Sequence, residues 1–193
     1  MRQIRYGVFE SNSSSTHSIA IPKDCDIVSY ISFHIGEFGW GCDEADSADY
    51  FYTAIYVTSN TEDEVNEKIA KLKNILDEHG IEYYFAKAKT YIWHYDYDNK
   101  DYLVLDDGYI DHGEELKDFV DELLNDGDKL VRFLSRGLVF TGNDNSTEEE
   151  IGYIERDREF LTSYDWESKQ YSEIENPYYM SNYKDYDWYW KGN

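Results

Sequence analysis

The sequence has few cysteines, few prolines and no long apolar run. Among its 193 residues there are two prolines and two cysteines, Cys25 and Cys42, whose spacing does not suit a structural zinc site, which needs four ligands. The N-terminus has no apolar core of signal-peptide length, so we expect a cytosolic protein with reduced thiols. No apolar stretch approaches the roughly 18 residues that a membrane-spanning helix needs, so the sequence predicts no membrane span.

Basic residues are scarce relative to acidic ones. Lys and Arg number 18 while Asp and Glu number 41, which gives a formal net charge of −23. A chain of this charge repels the phosphate backbone of nucleic acids, which excludes a conventional basic nucleic-acid binder. Anionic membranes are disfavoured as partners for the same reason.

Aromatic residues, in contrast, are abundant. The chain contains 20 tyrosines, nine phenylalanines and five tryptophans. Disordered acidic chains are usually poor in aromatic side chains, which bury large areas when they pack. The composition therefore indicates a folded protein whose core uses aromatic residues.

Hydrophobic periodicity predicts an α+β fold, with a mixed or antiparallel sheet, an N-terminal β-hairpin and two main helices. The main helices are predicted over 60–79, where Gly80 marks the end, and over 113–126, and a shorter helix begins at Asp128. Strands are predicted over 4–9, 17–21, 50–58, 81–87, 90–96, 101–106 and 138–140. The predicted domain spans 1–163, and a Tyr- and Trp-rich strap or tail spans 164–193.

The polar loop of the predicted hairpin is the first candidate site. It combines a carboxylate, an amide, hydroxyls and an imidazole, carried by Glu10, Asn12, Ser13, Ser14 and His17. Histidine suits general acid–base work, and serine and asparagine can hold an oxyanion or a phosphate oxygen. Local side-chain-to-backbone hydrogen bonds in a turn explain the same residue types without any function.

Two further polar clusters follow predicted strands. Asp111 and His112 lie between a strand and a helix, and Asn143, Asp144 and Asn145 follow the strand over 138–140. Capping of a helix or a turn is the alternative role for Asp111 and Asn145. If the strands are neighbours, the three clusters line one site.

A hard divalent metal, Mg²⁺ or Mn²⁺, would suit such a site, because its ligands would be carboxylates and histidines without cysteine. A metal can also bridge an acidic protein to phosphate. Glu10, Asp111 and Asp144 are the candidate metal ligands or bases.

The residues from Arg5 to Ser18 carry a resemblance to a known family. They match the pattern Arg-x-Gly-x-Phe-Glu-x-Asn-Ser-Ser-Ser-x-His-Ser, which resembles the opening of a family of bacterial proteins found on phages and other mobile elements. The stretches Tyr-Ile-Asp-His at 109–112 and Thr-Gly-Asn-Asp-Asn at 141–145 resemble the same family. Ser11 stands where the family usually has threonine, and the matches cover about a sixth of the chain.

The resemblance implies a mobile-element protein acting in the bacterial cytoplasm. In size and in its N-terminal hairpin, the chain is also similar to a type II anti-CRISPR group that truncates guide RNA. The first hypothesis is therefore a counter-defence ribonuclease or phosphodiesterase, whose partner is an RNA-guided nuclease or its guide RNA. In it His17 and His112 are acid–base groups, and Asn12, Ser13 and Ser14 hold phosphate oxygens. Arg5, Asn143 and Asn145 contact the substrate.

Two other hypotheses stay open at this point. An acidic surface can imitate the phosphates of a nucleic acid and block a host nucleic-acid-binding protein without catalysis. The chain can also be a phage accessory or structural protein, with the aromatic tail as an oligomer contact. The sequence does not decide between enzyme and binding protein, and it does not fix the oligomeric state.

Overall fold

A computed structural model describes residues 15–39, 41–95, 99–143, 152–165 and 167–191. The helices are α1 (Ser47–Val57), α2 (Glu62–Glu78), α3 (Lys117–Leu123) and α4 (Gly127–Arg136), with 3-10 helices at Gly113–Leu116 and Tyr183–Asp185. The strands are β1 (Ser15–Pro22), β2 (Tyr30–Phe33), β3 (Glu37–Phe38), β4 (Asp43–Ala45), β5 (Glu82–Phe85), β6 (Thr90–Tyr95), β7 (Lys100–Leu105), β8 (Tyr109–Ile110), β9 (Leu138–Asn143), β10 (Phe160–Asp165), β11 (Gln170–Glu175) and β12 (Tyr186–Lys191). The predicted α+β class is confirmed.

The main sheet is antiparallel and has the strand order β12-β1-β9-β4. Separate two-stranded pairs are parallel in β2–β5 and β3–β8 and antiparallel in β6–β7 and β10–β11. β1 corresponds to the second strand of the predicted N-terminal hairpin. The first strand of that hairpin, over 4–9, lies outside the described residues. No helix in the described part of the chain is long and apolar enough to cross a membrane.

Helix α1 corrects one prediction. The segment 50–58 was predicted as a strand because it is rich in aromatic and β-branched residues, but the structure forms a helix over Ser47–Val57. Asp46 caps this helix, since its carboxylate accepts hydrogen bonds from the backbone N–H groups of Ala48 and Asp49 at 2.9 and 3.0 Å. The helix is buried on nearly all sides, and an apolar run of this kind has no periodicity that separates helix from strand.

The core forms around α1. Three phenylalanine rings from three helices meet edge to face: Phe51 of α1, Phe119 of α3 and Phe133 of α4, with centroid distances of 5.4 to 6.4 Å. Edge-to-face pairs place the positive edge of one ring against the negative face of another. The core is thus rich in aromatic side chains, as the composition predicted.

The two main helices are confirmed with small differences. α2 buries Val65, Leu72 and Leu76 on one face, and its N-cap is Thr61, whose hydroxyl accepts a hydrogen bond from Glu64 N–H at 3.1 Å. The second helix begins as a 3-10 turn over Gly113–Leu116 before it continues as α3.

The C-terminal segment belongs to the main sheet. β12 pairs with β1 along its length, from Pro22 opposite Tyr186 to Ser18 opposite Lys191. The antiparallel hairpin β10–β11 precedes it, and β10 crosses the predicted boundary at residue 163. The division into a domain and a strap stays a prediction, and one strand of the predicted strap forms an edge of the sheet.

Candidate functional site

His17 lies in β1, where its side chain has no exposed surface. In the sheet it stands opposite Thr141 of β9. On its other side, the hydroxyl of Tyr50 in α1 lies 2.8 Å from His17 Nδ1. A buried polar ring needs such partners, because a lost hydrogen bond cannot be replaced by water there.

Burial determines the charge of this pair. Desolvation lowers the pKa of His17 to about 3, opposed by a backbone hydrogen bond to Asp111 and assisted by the nearby His112. Desolvation also raises the pKa of Tyr50, so its hydroxyl keeps its proton. At neutral pH the imidazole is therefore uncharged and has a single N–H. The backbone hydrogen bond to Asp111 raises the pKa of the ring, so the ring is the donor in that bond, and its proton is on Nε2 because Nδ1 lies against Tyr50. Tyr50 O–H then donates to Nδ1.

Asp111 and His112 follow β8 directly and lie beside His17. β8 runs parallel to β3, and the pairing continues as Asp111 N–H donates to the carbonyl of Phe38 at 2.9 Å. His112 has a left-handed backbone with φ 53°, an uncommon conformation for a residue other than glycine. Both side chains are half-buried, so they reach the surface where His17 does not.

Gly39 makes this close approach possible, and sequence reasoning missed it. Its φ of +119° lies in a region that favours glycine, and an added Cβ would lie 2.7 Å from Asp111 Cβ and 3.3 Å from His17 Nε2. The sequence signal was limited to a glycine-rich irregular stretch around residues 36–41. The loop after β3 thus leaves room for the contact between His17 and Asp111.

We expect Gly39→Ala to destabilise the protein by about 2 kcal/mol or more, because the new methyl group adds a clash to backbone strain. Gly80→Ala is the matched control, since Gly80 has φ +66° but nothing within 4 Å of an added Cβ. The control should cost only about 1 kcal/mol, from the left-handed backbone alone. Urea unfolding of both variants measures the difference, and equal losses would contradict the role given to Gly39.

The third predicted cluster begins next to the first. Thr141 is buried in β9 between His17 of β1 and Asp43 of β4, and its hydroxyl donates to the carbonyl of Gly41 at 3.2 Å. Two residues further along, the backbones of Ser15 and Asn143 are paired. The end of β9 therefore lies beside the start of β1, where the predicted polar loop joins the sheet.

Several predicted site residues lie outside the described residues. These are Arg5, Glu10, Asn12, Ser13, Ser14, Asp144 and Asn145, and of Asn143 only the backbone position is described. Within the described ranges, no group of three or more His, Cys, Asp or Glu could hold a metal ion. Mg²⁺ or Mn²⁺ bound by Glu10, Asp111 and Asp144 stays a prediction, since two of these three carboxylates lie outside those ranges.

The buried position of His17 changes the role that it can have. A ring without exposed surface does not contact a substrate in this structure, and the hydrogen bond of His17 to the Asp111 backbone suits a supporting role. His112 is half-buried and is the candidate for proton transfer. The alternative role of Asp111 was helix capping. The N-cap of the 3-10 helix is His112 and not Asp111, and the His112 side chain makes no capping hydrogen bond.

Comparison with protein families, with curated proteins and with solved structures gives no match.

Proposed function

We propose that the chain is a counter-defence protein of a phage or mobile element that cleaves a phosphodiester, in the guide RNA of an RNA-guided nuclease. One observation supports this proposal. Three segments that are far apart in sequence, the start of β1, the end of β8 and the end of β9, meet around His17. Each of them carries or adjoins polar residues of the types that phosphoryl chemistry uses.

The roles follow from exposure. His112 is the acid–base group, because it is half-buried and can meet a substrate. Asp111 supplies a carboxylate, and His17 with Tyr50 keeps the Asp111 backbone in place. Mg²⁺ or Mn²⁺, held by Glu10, Asp111 and Asp144, would supply positive charge for the phosphate next to these carboxylates, in a protein of net charge −23.

A second candidate function rests on the exposed surface of the β10–β11 hairpin. Phe160, Thr162, Tyr171, Glu173 and Glu175 alternate onto one face of this ribbon, here called the hairpin face, and all are exposed. Tyr171 is 75% exposed and Phe160 is 49% exposed. Arginine side chains stack on aromatic rings and pair with carboxylates, so this face suits a basic, nucleic-acid-binding surface of a host protein. Under this alternative the chain blocks that surface without catalysis.

The cleavage proposal is tested with the full chain and a guide-loaded nuclease, with and without Mg²⁺ or Mn²⁺. We expect a shortened guide on a denaturing gel at sub-stoichiometric protein. His112→Ala should lower the cleavage rate by about a hundredfold or more, the usual contribution of a general acid or base. His94→Ala is the matched control, since His94 is an exposed histidine on β6 that should leave the rate unchanged.

Two other outcomes would contradict cleavage. An intact guide with DNA cutting inhibited at a one-to-one ratio would favour the blocking function. In that case Glu173→Lys on the hairpin face should relieve the inhibition, while Glu78→Lys on exposed α2 should not. An intact guide without inhibition would overturn both proposals and favour an accessory or structural role.

A further inference from the structure

A cleft of about 400 Å³ lies between α2 and α3, away from the residues around His17. Its walls include Lys68, Lys71 and Lys117, and we call it the lysine cleft. Three of the 18 basic residues thus share one cavity in a chain that carries 41 acidic residues. Thr58, Asn60 and Asn125 add polar groups to the lining, and three carboxylates, those of Glu64, Glu67 and Asp121, line the cleft as well.

Lys68 is the unusual member of the lysine cleft. Its ammonium group donates to the carbonyl and to the hydroxyl of Thr58, at 3.1 and 3.0 Å, and both partners are neutral. Within the described residues it makes no ion pair, and it uses two of its three N–H donors. Burial lowers the pKa of Lys68, and the charges of Lys117 and Lys71 lower it further, against the attraction of Asp121 and Glu64. A desolvated positive charge therefore faces the cleft.

The other two lysines have carboxylate partners that an anion can replace. Lys71 pairs with Glu67 at 3.5 Å, and Lys117 pairs with Asp121. Exposed ion pairs one helical turn apart contribute little to stability, so an anionic ligand can replace the carboxylate partner of each lysine at a low cost in free energy. One oxygen of the Glu64 carboxylate accepts a hydrogen bond from Asn60 N–H at 2.6 Å, which holds this carboxylate at the start of α2.

We propose that the lysine cleft binds a small phosphate ester of about the size of a mononucleotide. Three ammonium groups can each meet a different oxygen of a tetrahedral phosphate, whereas a carboxylate offers only two oxygens. The volume lies within the range of small-molecule sites, and the amides of Asn60 and Asn125 can orient the remainder of the ligand. This inference is independent of the proposed function, because it involves none of the residues around His17.

The test is calorimetric titration of the full chain with inorganic phosphate and with adenosine monophosphate. Lys68→Met keeps the length of the side chain but removes its charge, and we expect affinity for both probes to fall tenfold or more. Lys87→Met, at an exposed lysine outside the cleft, is the control and should bind as the unchanged protein does. Equal affinity in both variants, or no binding at millimolar concentrations, would overturn the proposal.

Asp121→Asn provides a second test that does not depend on Lys68. It removes the carboxylate that competes for Lys117, so we expect the affinity for phosphate to rise several-fold. An unchanged affinity in this variant would contradict the assignment of Lys117 to the site. Binding of inorganic phosphate that adenosine monophosphate does not displace would exclude an ester ligand.

Discussion

Acidification from pH 7 to pH 5 is expected to lower the free energy of unfolding by about 2 kcal/mol through His17 alone. Burial holds the pKa of the folded ring at about 3, against an ordinary value of 6.5 in the unfolded chain. Between these values the unfolded state takes up a proton and the folded state does not. Stability is therefore nearly complete at pH 7 and falls by about 1.4 kcal/mol per pH unit below pH 6.5, to a loss of about 4 kcal/mol near pH 3.

Urea unfolding at pH 7, 6 and 5 measures this effect in the unchanged protein and in His17→Gln. Glutamine does not titrate, so the stability difference between the two proteins should shrink by about 2 kcal/mol over this range. The pKa of His79 is raised by a hydrogen bond to Asp128, and its opposite contribution is common to both proteins and cancels. A parallel profile in His17→Gln would show that His17 is not buried and neutral.

Elements with a polar face could be predicted from the sequence. α2 has its apolar side chains at helical spacing and charged residues around the rest of its surface, so the period was visible. α1 has no such contrast, because tertiary burial on nearly every side removes the polar face. Intrinsic preference then favoured a strand, and packing against α4 and the sheet determined the helix.

The sequence identified residues of the candidate site but not how they lie relative to one another. The sequence selected His17, Asp111 and His112, but their contact depends on the pairing of β3 with β8, two strands of two residues each. Elements this short have no detectable periodicity. The role of Tyr50 was hidden for a different reason, since the incorrect strand prediction for 50–58 gave no information on which side chains face β1.

The C-terminal segment shows the limit set by long-range pairing. β12 joins β1 across most of the chain, with Ser18 opposite Lys191, and no local pattern specifies such a partner. The sequence showed that the C-terminal region is rich in tyrosine and tryptophan. Only the structure shows that one of its strands, β12, forms an edge of the main sheet.

Asn176→Ala is expected to destabilise the protein by about 3 kcal/mol or more. The side chain is 5% exposed, and its amide nitrogen lies 3.0 to 3.1 Å from three backbone carbonyl oxygens, those of Gly152, Glu155 and Arg158. Its amide oxygen accepts a hydrogen bond from Tyr178 N–H at 3.0 Å. Asn176 thus joins the end of β11 to residues 152–158, and alanine would leave buried polar groups without partners.

Urea unfolding and hydrogen exchange of the β10–β11 amides measure this loss, with Asn74→Ala on the exposed face of α2 as the control. The control should change stability by less than about 0.5 kcal/mol. Asn176→Asp separates the hydrogen bonds from packing, because aspartate has nearly the same shape but places a negative charge against three carbonyl oxygens. At neutral pH it should therefore destabilise at least as much as alanine does. A stable Asp variant would mean that the shape of the side chain, and not its donors, holds this segment together.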